Sequence, residues 1–227
     1  MNIRALVAEF IGAFTLCFVG IGAIAATQGE NPVAIAFAHG LAIALMVTAL
    51  GHVSGGHFNP AVTFGMLLTG RINPASAVGY WVAQLLGGLV AALFMSAIYG
   101  VDAVTTGTPA PGANYSAIQA VMMEVFLTFF LVWVIFGAAI HQKYTFAGLA
   151  IGLTITMDIL AGGAVSGAAM NPARVLGPAI VGGEWAAHWI YWVGPLVGGG
   201  LAAVIYDLLY RKPELPHADP QYPPREV

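Results

Sequence analysis

The chain has 227 residues, 59% of them hydrophobic and 7% charged, with a formal net charge of -3 and a mean hydropathy of +0.84. Such a composition lies far outside the soluble average and describes an integral membrane protein. The absence of a basic run excludes nucleic-acid binding, and a single cysteine, Cys17, excludes an intramolecular disulfide and a cysteine-based metal site.

Apolar stretches of about 20 residues, each enough to cross roughly 30 Å of hydrocarbon as a helix, are predicted at 4–26, 33–53, 75–99, 117–140, 145–163 and 188–210. The first has the Arg-then-apolar order of a signal peptide. Glu9 interrupts it, however, and Glu124 recurs at the matching point of the fourth stretch, so it reads as the first span. Between the second and third spans comes "SGGHFNPAV", residues 54–62, and between the fifth and sixth "SGAAMNPARVLGP", residues 166–178. A third triplet, Asn73-Pro74-Ala75, simply opens the third span. The tail 211–227 is proline-rich and charged without apolar periodicity, and is expected to be disordered and cytoplasmic. Arg4, Arg71, Lys143, Arg211, Lys212 and Arg225 fall on the side of both termini, and Glu30, Asp102 and Glu184 on the other, which predicts cytoplasmic termini in a cell membrane.

The halves echo each other. "AEFIGAFTLCFVGIGA" from residue 8 resembles "MEVFLTFFLVWVIFGA" from residue 123, and "GLAIAL" at 40 resembles "GLAIGL" at 148. Three spans per half is an odd number, so the second half enters the membrane from the opposite side. The expected architecture is an all-α membrane fold with an inverted repeat: residues 1–100, an outer connecting loop at 101–116, and residues 117–210.

Asparagine is a favoured N-cap and proline a favoured first helical residue, so Asn-Pro-Ala starts a helix well. Only about ten residues follow Asn59 or Asn171 before the next turn, roughly 15 Å of helix. Two half-helices, about 59–69 and 171–181, are therefore predicted to enter from opposite faces and meet at their N-termini. Non-helical backbone at that depth is tolerated where it is buried in protein or lines a wet cavity. The carbonyls of Gly55, Gly56 and His57, and of Gly167, Ala168 and Ala169, are the expected acceptor ladder. If each asparagine oxygen caps its own helix, its amide nitrogen is left as a donor to the lumen, where two helix macrodipoles add positive potential. Water would be held oxygen-inward and charge refused.

With its paired motifs, the chain from about residue 5 to 210 resembles the aquaporins of the major intrinsic protein family. "GHVSGGHFNPAV" is similar to bacterial water channels, and "DILAGGAVSGAAMNPARVLGPA" to the tonoplast intrinsic proteins, the vacuolar members of plants. The resemblance implies a passive channel for water and small neutral solutes, usually a homotetramer in the lipid bilayer, with no cofactor or metal and no catalysis. It identifies Asn59, Pro60, Ala61, Asn171, Pro172 and Ala173 as the pore motifs. Offsets from those motifs carry the family's four-residue filter to His39, Ile159, Ala168 and Arg174. Arg174 is also singled out independently, since a guanidinium at membrane depth costs about 3 kcal/mol and should face a wet cavity.

Strict water channels of the family have Phe at the place of His39, and His with Thr or Cys at those of Ile159 and Ala168. This set is similar to that of vacuolar members passing ammonia and urea, which predicts a wider, more polar constriction. Several departures qualify the match. Val175 stands where water channels usually have Ser and glycerol channels Asp, residues 100–116 hold no histidine, and Ala168 replaces the cysteine behind mercury sensitivity. Ala179 and Tyr191-Trp192 match the water-channel side.

The family gives Glu9 and Glu124 a supporting role beneath the interrupted stretches; proton relay is the alternative. Asp158 has three open roles: bonding to loop backbone, pairing, or protonation. A different class, an ion-coupled secondary transporter, also uses inverted repeats and broken helices and would rest on these three acids. An intramembrane enzyme lacks a nucleophile with a base.

Overall fold

The computed structural model describes residues 2–210, so the tail with Arg211, Lys212 and Arg225 lies outside the described residues. Those residues form helices and connecting loops without a strand. In chain order they are α1 (Ile3–Thr27), α2 (Pro32–Ser54), α3 (Pro60–Leu68), α4 (Pro74–Tyr99), α5 (Val101–Gly107), α6 (Ala117–Val134), α7 (Ala147–Ser166), α8 (Pro172–Gly182) and α9 (Ile190–Tyr210), with a π-helical turn, Ile135–His141, continuing α6. Six spans are long and apolar enough to cross a membrane, α6 counted together with its π-helical end. The short helices α3 and α8, 9 and 11 residues long, reach about 14 and 16 Å.

Local chemistry sets the helix starts. Asn31, Asn59, Asn73 and Asn171 each cap a helix whose first residue is proline, the side-chain oxygen accepting a backbone N–H two or three residues ahead. Ser116 opens α6 with a reciprocal capping box to Gln119. The triplet at Asn73 is thus an ordinary cap at a membrane surface, while the same chemistry at Asn59 and Asn171 is buried.

Packing repeats with an offset of about 112 residues, and the half-helices cross over between repeats. Half-helix α3 packs against α9, and α8 against α4. Small residues make this possible. A Cβ on Gly88 of α4 would strike the carbonyl of Ala173, and one on Gly199 of α9 would come within 3.1 Å of the carbonyl of Ala61. One residue earlier, Gly87 and Gly198 face the α1 backbone at Phe10 and the α6 backbone at Val125. Across the middle, Gly40 of α2 and Gly152 of α7 each face the other's carbonyl. Without a hydrophobic force between helices in lipid, such close backbone approach is what holds the bundle together. The outward faces carry exposed Val, Leu, Ile and Phe, as lipid contact requires.

Connections differ from the sequence expectation in two places. Residues 101–116 hold helix α5, which packs against α1, α4 and α8 instead of merely bridging the outer surface. The end of the fourth span winds into a π-turn, placing Phe136 under the Arg71 guanidinium at 5.0 Å; Arg71 also pairs with Asp207 at 2.6 Å. Arg71 and Lys143 line one vestibule, as their common assignment to one side requires.

Gly88→Ala should lower the unfolding midpoint in detergent by the equivalent of about 1–3 kcal/mol, since the added methyl meets backbone that cannot turn aside. Gly51→Ala, whose new methyl would touch only Val47 at 3.7 Å, is the control and should leave the midpoint unchanged.

Candidate functional site

The two half-helices meet at their N-termini. Asn59 Oδ1 accepts from Ala61 N at 2.8 Å, and Asn171 Oδ1 from Ala173 N at 2.9 Å. Each amide then reaches across the junction: Asn59 Nδ2 donates to the carbonyl of Met170 at 2.7 Å, and Asn171 Nδ2 to that of Phe58 at 3.0 Å. Sequence reasoning assigned both amide nitrogens wholly to the lumen. In the fold, one N–H of each amide ties the two loops together and the second remains, because a primary amide carries two.

The loops before these caps are held open from behind. Phe58 and Met170 take left-handed backbone, φ 51 and 53, as do Gly56 and Ala168 at 66 and 46. A left-handed residue with a side chain costs about 1–2 kcal/mol, and the buried acids offset it. Glu9 accepts from Ser54 Oγ at 2.6 Å, His57 N at 3.0 Å, Phe58 N at 2.6 Å and Gln84 Nε2 at 2.7 Å. Glu124 accepts from Ser166 Oγ at 2.7 Å, Ala169 N at 2.9 Å and Met170 N at 2.7 Å. Every partner donates, so both carboxyls act as anchors for amides that would otherwise lie unpaired in a dry environment. Tyr80 and Tyr191 hydroxyls complete the frame, donating to the carbonyls of Ser54 and Ser166 at 2.7 Å.

Ser54 and Phe58 carbonyls are thus occupied, as are those of Ser166 and Met170. Between them the carbonyls of Gly55, Gly56 and His57, and of Gly167, Ala168 and Ala169, accept no hydrogen bond from the described residues. Gly56, His57, Ala168 and Ala169 border a narrow cavity together with Asn59, Met170, Asn171 and Arg174. Its other wall is apolar: Leu16, Ile43, Val62, Leu131, Ile151, Ile155 and Ile159. The cavity measures about 30 Å³, enough for about two waters in line. Below it lies a wide vestibule of about 720 Å³ bordered by Gly55, His52, Arg71 and Lys143. Gly167 lines neither space.

His39, Ile159, Ala168 and Arg174 come together at the other end of the narrow cavity, all buried. His39 Nδ1 lies 2.8 Å from the carbonyl of Ile35, so that nitrogen carries the proton and Nε2 is an acceptor. Arg174 uses it: Nε and one terminal nitrogen lie 3.3 and 3.1 Å from Nε2, while the other donates to the carbonyl of Gly107 at 3.4 Å. The polarity expected of His39 is therefore spent on holding the guanidinium, and the remaining guanidinium N–H groups are the polar element of this constriction. Gly107, at the end of α5, escaped sequence reasoning because only its backbone acts. Thr105 fixes that helix, its hydroxyl donating to the carbonyl of Gly182 at 2.9 Å at the far end of α8.

Asp158 is fully buried, borders neither space, and has no hydrogen-bond partner on either oxygen among the described residues. The loop-backbone role open to it from sequence is taken by Glu124. Gln84, which joins the Glu9 cluster, was also missed; a glutamine inside an apolar span facing another span's acid was the available signal.

The family model of major intrinsic proteins matches residues 1–206. The chain is 44% identical to aquaporin TIP4-4 of Zea mays over 92% of this chain and 87% of that one. It is 43% identical to aquaporin TIP2-1 of Arabidopsis thaliana, over 92% and 88%. The X-ray structure of the aquaglyceroporin from Plasmodium falciparum has the same fold, with a TM-score of 0.82 at 25% identity over 90% of this chain and 95% of that one. This chain belongs to the major intrinsic protein family.

Proposed function

We infer that this chain is a passive channel, carrying water and small neutral solutes in single file across a membrane and refusing ions and protons. One observation carries the reading: two capped half-helices touch at their N-termini beside a cavity of about 30 Å³. The second N–H of Asn59 and of Asn171, with two macrodipoles behind them, gives a positive potential and an oriented water at mid-depth. The carbonyls of Gly55, Gly56 and His57 on one side, and of Ala168 and Ala169 on the other, replace hydration for the file, while the apolar wall lets it slide. Pro60, Ala61, Pro172 and Ala173 fix the helix starts that aim the amides. A coupled transporter finds no support: Glu9 and Glu124 are committed to loop backbone, and Asp158 lies off the lumen. The family consists of channels, and this chain is not an enzyme.

Solute range is set, in this reading, by His39, Ile159, Ala168 and Arg174. The small Ala168 and the aside-held Arg174 favour urea, ammonia or glycerol passing with water. The chain is a multi-pass membrane protein. We assign it to the vacuolar membrane in a cell that has a vacuole, following its TIP-named relatives, and to the cell membrane otherwise; the termini face the cytoplasm and four copies assemble.

Stopped-flow light scattering on proteoliposomes tests the function. Osmotic shrinkage should be much faster than in protein-free vesicles, and equal rates would refute the reading. His39→Phe combined with Ala168→Thr should cut urea and glycerol flux about tenfold, ~1.4 kcal/mol of barrier, while water flow persists; unchanged solute flux would remove these residues from the filter. Arg174→Val should leave water flow largely intact and raise the ratio of solute to water flux.

A further inference from the structure

One difference between the two repeats lies behind the lumen, around Glu9. In the first, His57, Thr63 and Gln84 form a chain of side chains ending on Glu9; at the corresponding positions the second has Ala169, Val175 and Pro195. The second repeat forms its half-helix and anchored loop without such a chain of polar groups.

Hydrogen-bond counting gives this chain a direction. Gln84 Nε2 lies 2.7 Å from Glu9 Oε2 and 2.9 Å from Thr63 Oγ1. The reverse amide orientation would set an oxygen against a carboxylate that already accepts from three other donors, so both N–H groups point this way and Gln84 Oε1 is left without a partner. Thr63 is fully buried and out of reach of solvent. Its oxygen accepts from Gln84, and the acceptor within reach of its hydroxyl hydrogen, among the described residues, is His57 Nδ1 at 3.0 Å. A proton on Nδ1 would leave the threonine hydrogen buried and unpaired. The imidazole N–H is therefore at Nε2, the opposite of His39.

That nitrogen lies beside Gly55, a residue of the vestibule wall. His57 borders both the narrow cavity and the vestibule, its ring packs edge-on to Tyr80 at 5.1 Å, and a Cβ on Gly55 would lie 3.3 Å from Nε2, on the vestibule wall. We propose that Gln84 is a positioning residue which, through Thr63, fixes the Nε2–H tautomer of His57 and so presents one N–H donor where the narrow cavity opens to the cytoplasmic vestibule. The consequence rests on the channel reading: oxygen-bearing permeants meet a donor there beside the carbonyl ladder. The test does not, because tautomer state is read without flux.

Full-length protein in lipid bilayers, labelled with 15N-histidine, is examined by magic-angle-spinning NMR, with His57 assigned as the signal missing from His57→Asn. The unaltered chain should give one His57 form, with an unprotonated Nδ1 and a protonated Nε2. Thr63→Val, which copies Val175, should convert this into a mixture of both tautomers, Gln84→Met should shift it in the same direction, and Thr63→Ser should restore the single form. A protonated Nδ1 in the unaltered chain would overturn the proposal whether or not any variant assembles. So would a His57 signal unmoved by Thr63→Val or, if that variant fails to assemble, by Gln84→Met. Loss of water flux with the tautomer intact would count against the channel reading and leave this assignment standing.

Discussion

Each of two asparagines caps its own helix with its oxygen and bonds the opposite loop with its nitrogen, at 2.7 and 3.0 Å. The rest of the molecule serves this crossed pair. A half-helix ending at mid-depth would leave its first amides unpaired in hydrocarbon, at several kcal/mol each, and here the asparagine caps and the contact with the other half-helix remove that cost. The half-helices are carried there by spans of the opposite repeat, α9 for α3 and α4 for α8. Glycines 88 and 199 let the backbones of Ala173 and Ala61 come close enough. Glu9 and Glu124 hold the preceding loops at left-handed residues that would not stay so unaided.

In the function proposed above, neutral permeation with charge refusal follows from the same geometry. The lumen is polar along one strip and apolar along the other, so a file of small molecules exchanges partners without sticking. Positive potential comes from backbone dipoles and Arg174, and these are fixed: the guanidinium rests on His39 Nε2 and the Gly107 carbonyl. The charge proposed to repel cations is thus part of the frame and does not need to reorganise as each molecule passes.

Much of this was legible in the chain. Six spans followed from hydropathy, and the half-helices from the combination of a helix-start triplet with a segment too short to cross. The acids were visible because a carboxylate inside an apolar run is costly. What escaped had no side-chain signature or depended on direction. Gly107 acts through its carbonyl, and α5 was hidden in "GVDAVTTG", whose mixed composition reads as loop. Asn-Pro at 31 and 73 has the same local chemistry as at 59 and 171; only tertiary placement separates a surface cap from a buried one. The engagement of His39 with Arg174 depends on which ring nitrogen carries the proton, which is set by the Ile35 carbonyl one helical turn back. Gln84 appeared as one polar residue in a span and disclosed its part only through three simultaneous distances.

The central claim is that the crossed asparagines admit water while breaking any proton path through it. It is tested most directly by recording water and proton movement in the same proteoliposomes, osmotic shrinkage by light scattering and internal pH by a trapped dye. The account predicts rapid shrinkage with proton leak no greater than that of the lipid alone. Proton flux that rises in step with the amount of protein would contradict it.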